Sequence, residues 1–197
     1  MVIASHVIFG AYGFWLPNDP RGSWSDFVGA WELFRYGGRA TKTTVRYSVA
    51  ARTHDVALRV AAKKALKRPA VRFTGIQALA VGRGFAEYAG KSGLAILACA
   101  ILPDHAHLVL ARHRLKVEQL VIKLKAAATQ RLIDERLHPF AHLAEGDGPP
   151  PKCFARGQWK VFLDTTEDVH RALQYVEENP MKDSLPPQRW KFVVPYI

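Results

Sequence analysis

Four side chains in two short stretches of this 197-residue sequence have the types and spacing to work on a phosphodiester. His105 and His107 stand two apart in ILPDHAHLVL, residues 101–110, a run rich in strand-forming aliphatics. In an extended strand residues i and i+2 share a face, so the two imidazoles would lie about 7 Å apart along the chain. Paired neutral imidazoles beside the acidic Asp104 make half a site for a divalent metal. Tyr175 and Asn179 stand four apart in YVEENP, the spacing of one helical face. A tyrosine can attack a phosphodiester if charge at the phosphate is stabilised, and an asparagine oxygen can complete a metal site that two histidines begin.

The surroundings favour a polyanion over a small molecule. Lysine and arginine number 28 against 17 acids, a net charge of +11, and nucleic acid is the commonest partner of such a surface. Near the start, Tyr12, Phe14, Trp15 and Trp24 are interleaved with Arg21 among glycines and prolines. Aromatic rings alternating with cations can stack on bases and touch phosphates. Tyr12, Trp15, Arg21 and Trp24 are therefore candidate nucleic-acid contacts, together with Lys123, Arg156, Trp159 and Lys160 further along. Cys99 and Cys153 are too few and too far apart in sequence for a disulfide framework or a zinc knuckle. No apolar run approaches twenty residues, and the first residues lack the charged start and cleavage site of a secretory signal. The expectation is a cytoplasmic, nucleoid-associated protein without a membrane partner.

The elements that must carry these residues read as follows. A strand is expected at 2–9, and residues 30–53 receive no assignment. Helices are expected at 54–68, ended by Pro69, and at 74–90, where Gly82 and Gly84 sit uneasily. The apolar face of the second would be Ile76, Leu79, Ala80, Phe85 and Tyr88. Strands at 94–101 and 105–111 form a hairpin around Pro103 and Asp104. A helix over 117–137 would use Leu120, Ile122, Leu124, Leu132 and Ile133 for its core. A short strand falls within 154–163. Thr165 and Asp168 have capping-box spacing for a last helix, which Pro180 would stop. One domain of α+β class, with helices packed on an antiparallel sheet, accommodates this order.

Taken together these residues resemble a family. The segment 102–110 is similar to the H-hydrophobic-H strand of the single-tyrosine HUH endonucleases. The segment ALQYVEENP, 172–180, resembles the Y-x-x-x-N-P helix of the REP-associated tyrosine transposases. YGFWLPNDPRGS, 12–23, and WKVFLD, 159–164, look like a subgroup of the same insertion-sequence transposases. The resemblance spans nearly the whole chain. It implies a ferredoxin-like sheet with helices on one side. It also implies a magnesium- or manganese-dependent nickase and strand transferase acting on single-stranded DNA with hairpin ends, such as palindromic repeats, as a monomer or homodimer. By matching motifs, His105, His107 and Asn179 would be metal ligands and Tyr175 the nucleophile, holding a 5′ phosphate.

Two other readings use the same residues. One is a domesticated or non-catalytic basic DNA-binding protein with structural histidines and a core tyrosine. The other is a replication-initiator-type HUH nickase, against which stands the absence of a second tyrosine beside Tyr175. A metal-dependent hydrolase of small molecules would explain neither the charge nor the aromatic-basic opening.

Overall fold

The computed structural model describes residues 1–14, 16, 19, 31–36 and 53–197. Its strands are β1 (Ala4–Gly10), β2 (Ile96–Ile101), β3 (His105–Ala111) and β4 (Trp159–Leu163). The helices are α1 (Val56–Lys64), α2 (Gly75–Ser92), α3 (Val117–Asp134) and α4 (Thr166–Lys182), with short 3-10 turns at Trp31–Tyr36 and Ala141–Leu143. The strands form one sheet in the order β2-β3-β1-β4, and every neighbouring pair is antiparallel. Running β1-α2-β2-β3-α3-β4 through that order gives the split β-α-β arrangement of a ferredoxin-like sheet, as expected.

Period-two alternation gives the sheet two different faces. Val7, Phe9, Leu108, Leu110, Cys99 and Ile101 meet α2 and α3 in the larger core. Ala4, Ala98, Ala100, Val109 and Leu163 meet Val169, Ala172 and Val176 of α4 in a second core. The described helices thus occupy both faces, not one: α2 and α3 cover the first, and α4 crosses the second. Ala4, Ala98 and Ala100 place small side chains on the face beneath α4.

Local signals account for most boundaries. The Thr74 hydroxyl accepts from Gln77 N while Gln77 caps Thr74 N, closing a capping box on α2. The Thr165 side chain accepts from Asp168 N at 3.1 Å, as its spacing predicts. Pro180 does not stop α4, which continues to Lys182. It falls in the final turn, where a missing N–H interrupts little of the ladder, and its carbonyl accepts from Asp183 N and Leu185 N.

Several expected core positions are exposed. Ile76 and Leu79 of α2 and Ile122 of α3 face solvent, as do Val56 and Val60 of α1. Val81 and Val121, each one residue from an expected position, are buried in their helices. The register is set by glycine: a Cβ on Gly84 would stand 2.6 Å from Ala128 Cα, so α2 and α3 touch backbone to backbone there. Gly82 is likewise a contact point, covered by the Trp190 indole. Trp190 belongs to a C-terminal segment that lies along the free edge of β2. Val194 N donates to Ile96 O at 2.9 Å. The Gln188 amide exchanges two 2.8 Å hydrogen bonds with the backbone of Ile101, standing in for a strand residue.

Candidate active site

The register of β3 against β1 assembles the first half of the site. His107 pairs with Ile8, His105 with Gly10 and His6 with Val109, so all three histidines project from the α4 face. The His105 ring stacks on Phe14, with centroids 4.5 Å apart and planes within 6°. Its Nδ1 donates to Asp104 Oδ1 at 2.8 Å, and the other Asp104 oxygen accepts from Arg72 at 3.2 Å. His107, only 3% exposed, has its Nδ1 3.2 Å from Nε2 of His6. Burial holds the His107 imidazole well below its ordinary pKa, and repulsion from His105, His6 and Lys182 adds to the shift. Burial also drives His6 down to about 4. Both rings are neutral at physiological pH.

α4 delivers the second half. Its buried stripe of Val169, Ala172, Val176, Asn179 and Pro180 fixes the helix over the alanine-lined sheet and turns Tyr175 toward the histidines. The Tyr175 ring lies 5.7 Å from the rings of both His107 and His6. Tyr175 is 37% exposed while Asn179 is 7% exposed, so the phenol is reachable and the amide is shielded. Burial raises the phenol pKa, the Asn179 side chain opposes this through a hydrogen bond, and the charge of Asp183 reinforces it. The resting side chain is a neutral phenol. Lys182, one turn beyond Asn179, holds its ammonium 4.3 Å from the Tyr175 ring centroid and is 51% exposed.

The expected four residues therefore come together from two segments about seventy positions apart. His6 joins them from a third segment. It was no sequence candidate, and the only available signal was a lone imidazole in a strand of otherwise apolar or small side chains.

The expected DNA contacts separate into groups. Trp159 reaches the site, since it faces the α4 side of β4 and its indole meets His6 edge-on at 5.3 Å. Lys160, the next residue, points to the opposite face and is ion-paired with Glu118 of α3. Lys123 is exposed on α3, also away from the histidine face. Arg156 is exposed in the segment before β4. Tyr12 is half-buried, packed edge-on against Phe140 at 5.8 Å with the Arg68 guanidinium over its ring at 5.0 Å. Trp15, Arg21 and Trp24 lie outside the described residues.

The donor chemistry fits a divalent cation. His105 and His107 each place Nδ1 against a neighbour, and where that Nδ1 carries the proton Nε2 keeps a lone pair for a metal, the arrangement by which a partner orients a ligand histidine. Among the described residues no group of three or more His, Cys, Asp or Glu side chains is placed to hold an ion. Among the described residues no helix is long and apolar enough to cross a membrane.

No family model and no curated protein matches the sequence. Among solved structures, the chain is similar to a REP-associated tyrosine transposase bound to a REP hairpin, at 14% identity and a TM-score of 0.46. That match covers 61% of this chain and 65% of the other, just under two thirds of the other's length. It is also similar to a candidate transposase from Deinococcus radiodurans R1, at 14% identity and a TM-score of 0.42, over 90% of this chain and 91% of that one.

Proposed function

We propose that this chain is a metal-dependent endonuclease and strand transferase, a tyrosine transposase acting on single-stranded DNA with hairpin or palindromic ends. The observation that carries the reading is the convergence of Tyr175 with His107 at 5.7 Å between ring centroids, with Asn179 on the same helix turn. A partly exposed phenol beside the buried imidazoles of His6 and His107 is an unusual way to fill a core and a useful way to attack a phosphate.

In the first step Tyr175 Oη attacks the scissile phosphorus. The Oη–P bond forms as the P–O3′ bond breaks, the phenol gives up its proton, and the departing 3′ oxygen gains one. The DNA 5′ phosphate is then held as a phosphotyrosine beside a free 3′ hydroxyl. A second 3′ hydroxyl reverses the chemistry on a new strand, so joining needs no nucleotide triphosphate. His105, His107 and Asn179 are the residues that would hold Mg2+ or Mn2+, which would supply charge neutralisation at the phosphate. Because the nucleophile and the amide ride on one helix, a rigid body sets their separation.

The test is a hairpin-ended single-stranded oligonucleotide incubated with the protein and Mn2+. Denatured mixtures should contain a protein–DNA adduct that mass spectrometry maps to Tyr175. Tyr175→Phe should bind the same DNA and form no adduct. Cleavage by that variant, or an adduct elsewhere, rules the mechanism out.

A further inference from the structure

We propose that His6 is the positioning residue of this site, the group on β1 that fixes His107 with its Nε2 free to bind a metal while bracing the Tyr175 ring. The inference rests on the reading of the site just given and assigns a role to a residue that reading does not use.

His6 is 7% exposed on an interior strand, where an aliphatic side chain would be easier to bury. A buried polar ring needs a partner, and His6 Nε2 has one in His107 Nδ1 at 3.2 Å. One of the two nitrogens must carry the proton. If His6 donated, His107 would carry its proton on Nε2 and could ligate nothing there. If His107 donates from Nδ1, its Nε2 lone pair is exposed and His6 accepts. Only the second arrangement serves a metal. Asp104 does the same for His105 from the other side, at 2.8 Å. Each candidate histidine ligand thus has its own orienting partner, one a carboxylate and one an imidazole.

The ring contacts extend the role. The His6 centroid lies 5.5 Å from His107, 5.3 Å from Trp159 and 5.7 Å from Tyr175. A single side chain therefore touches the strand carrying a ligand and the helix carrying the nucleophile.

The experiment uses the full chain and two variants. His6→Phe keeps a ring of similar size against Trp159 and Tyr175 but removes the acceptor. His6→Gln places an amide oxygen near the position of Nε2. Long-range 1H–15N spectra of the metal-free wild type should show His107 protonated on Nδ1. In His6→Phe, with circular dichroism unchanged, His107 should become a tautomer mixture, and Mn2+ affinity by calorimetry should fall about 10- to 100-fold. His6→Gln should restore both readouts most of the way. His107 protonated on Nε2 in the wild type overturns the inference, as does a folded His6→Phe that keeps the wild-type tautomer and Mn2+ affinity. If His6→Phe does not fold, the wild-type tautomer and the glutamine variant decide the matter. A wild type that binds no Mn2+ overturns the metal-site reading and this inference with it. That result is separable from a failure of His6 alone because it appears before any substitution is made.

Discussion

At the scale of single residues, Lys182 sets a positive charge beside the candidate nucleophile. Its ammonium lies 4.3 Å from the Tyr175 ring centroid, and its partner Glu178 is 3.9 Å away, too loose to neutralise it in contact with water. Tyr175, Asn179 and Lys182 lie at i, i+4 and i+7 of α4 and so share a face. Phosphoryl transfer places extra negative charge on non-bridging oxygens, and a cation held above the attacking phenol is well placed to meet it. Lys182→Gln should therefore slow single-turnover cleavage by tenfold or more while leaving the melting temperature within a degree or two, and Lys182→Arg should retain most of the rate. An unchanged rate in the glutamine variant would show that Lys182 serves only Glu178. The four candidate site residues were legible in the sequence as two local spacings, two on a strand and four on a helix, and the family resemblance supplied the roles expected of them. His6 was not legible. Its partner His107 is 101 positions away, and their meeting depends on the β1–β3 register, which no local pattern encodes.

At the scale of elements, the α2–α3 pair is where packing overrules periodicity. Sequence pattern alone puts Ile76, Leu79 and Ile122 in the core and treats Gly82 and Gly84 as weak points in a helix. The opposite holds: the glycines are the contact surface, and the isoleucines and Leu79 are turned outward by it. A close helix crossing needs small residues, and a hydrophobicity pattern cannot distinguish a glycine that weakens a helix from one that lets a neighbour in. The two cases predict opposite signs in one helix. Gly84→Ala drives a methyl into the Ala128 backbone and should destabilise the protein by about 1–3 kcal/mol. Gly90 is exposed with open space around its would-be Cβ, so Gly90→Ala should stabilise it by about 0.5–1 kcal/mol through helix propensity. Urea denaturation of both variants checks the pair. Equal effects would mean that α2 and α3 do not cross at Gly84.

At the scale of the whole molecule, the sheet divides the labour. One face, under α2 and α3, carries the larger core and holds the fold. The other is thinly covered by α4 and left open enough for Tyr175 to be reached. The strand order was legible only in part: the β2–β3 hairpin follows from adjacency, but the insertion of β3 between β1 and β2 and the C-terminal cover over the β2 edge are long-range choices. Charge is the property that acts over the whole surface. Twenty-eight basic residues against 17 acids give +11, and exposed Arg72, Arg171 and Lys182 belong to segments around the histidine face. DNA held by such a surface releases counterions, and each neutralised phosphate contributes about 0.7–0.9 to the slope of log affinity against log salt. Four or more contacts should give a slope steeper than about −3 for a hairpin with a single-stranded end. Charge alone would hold a plain duplex as well. Trp159 beside the site would offer its ring to an unpaired base, each stacked base being worth about 1–3 kcal/mol. At fixed salt the hairpin with its single-stranded end should therefore bind at least about tenfold more tightly than a duplex of the same sequence. Fluorescence anisotropy from 50 to 300 mM salt measures both quantities. A steep slope with equal affinities would identify a general basic DNA-binding surface, and a slope shallower than −1 would remove the polyanion itself from consideration.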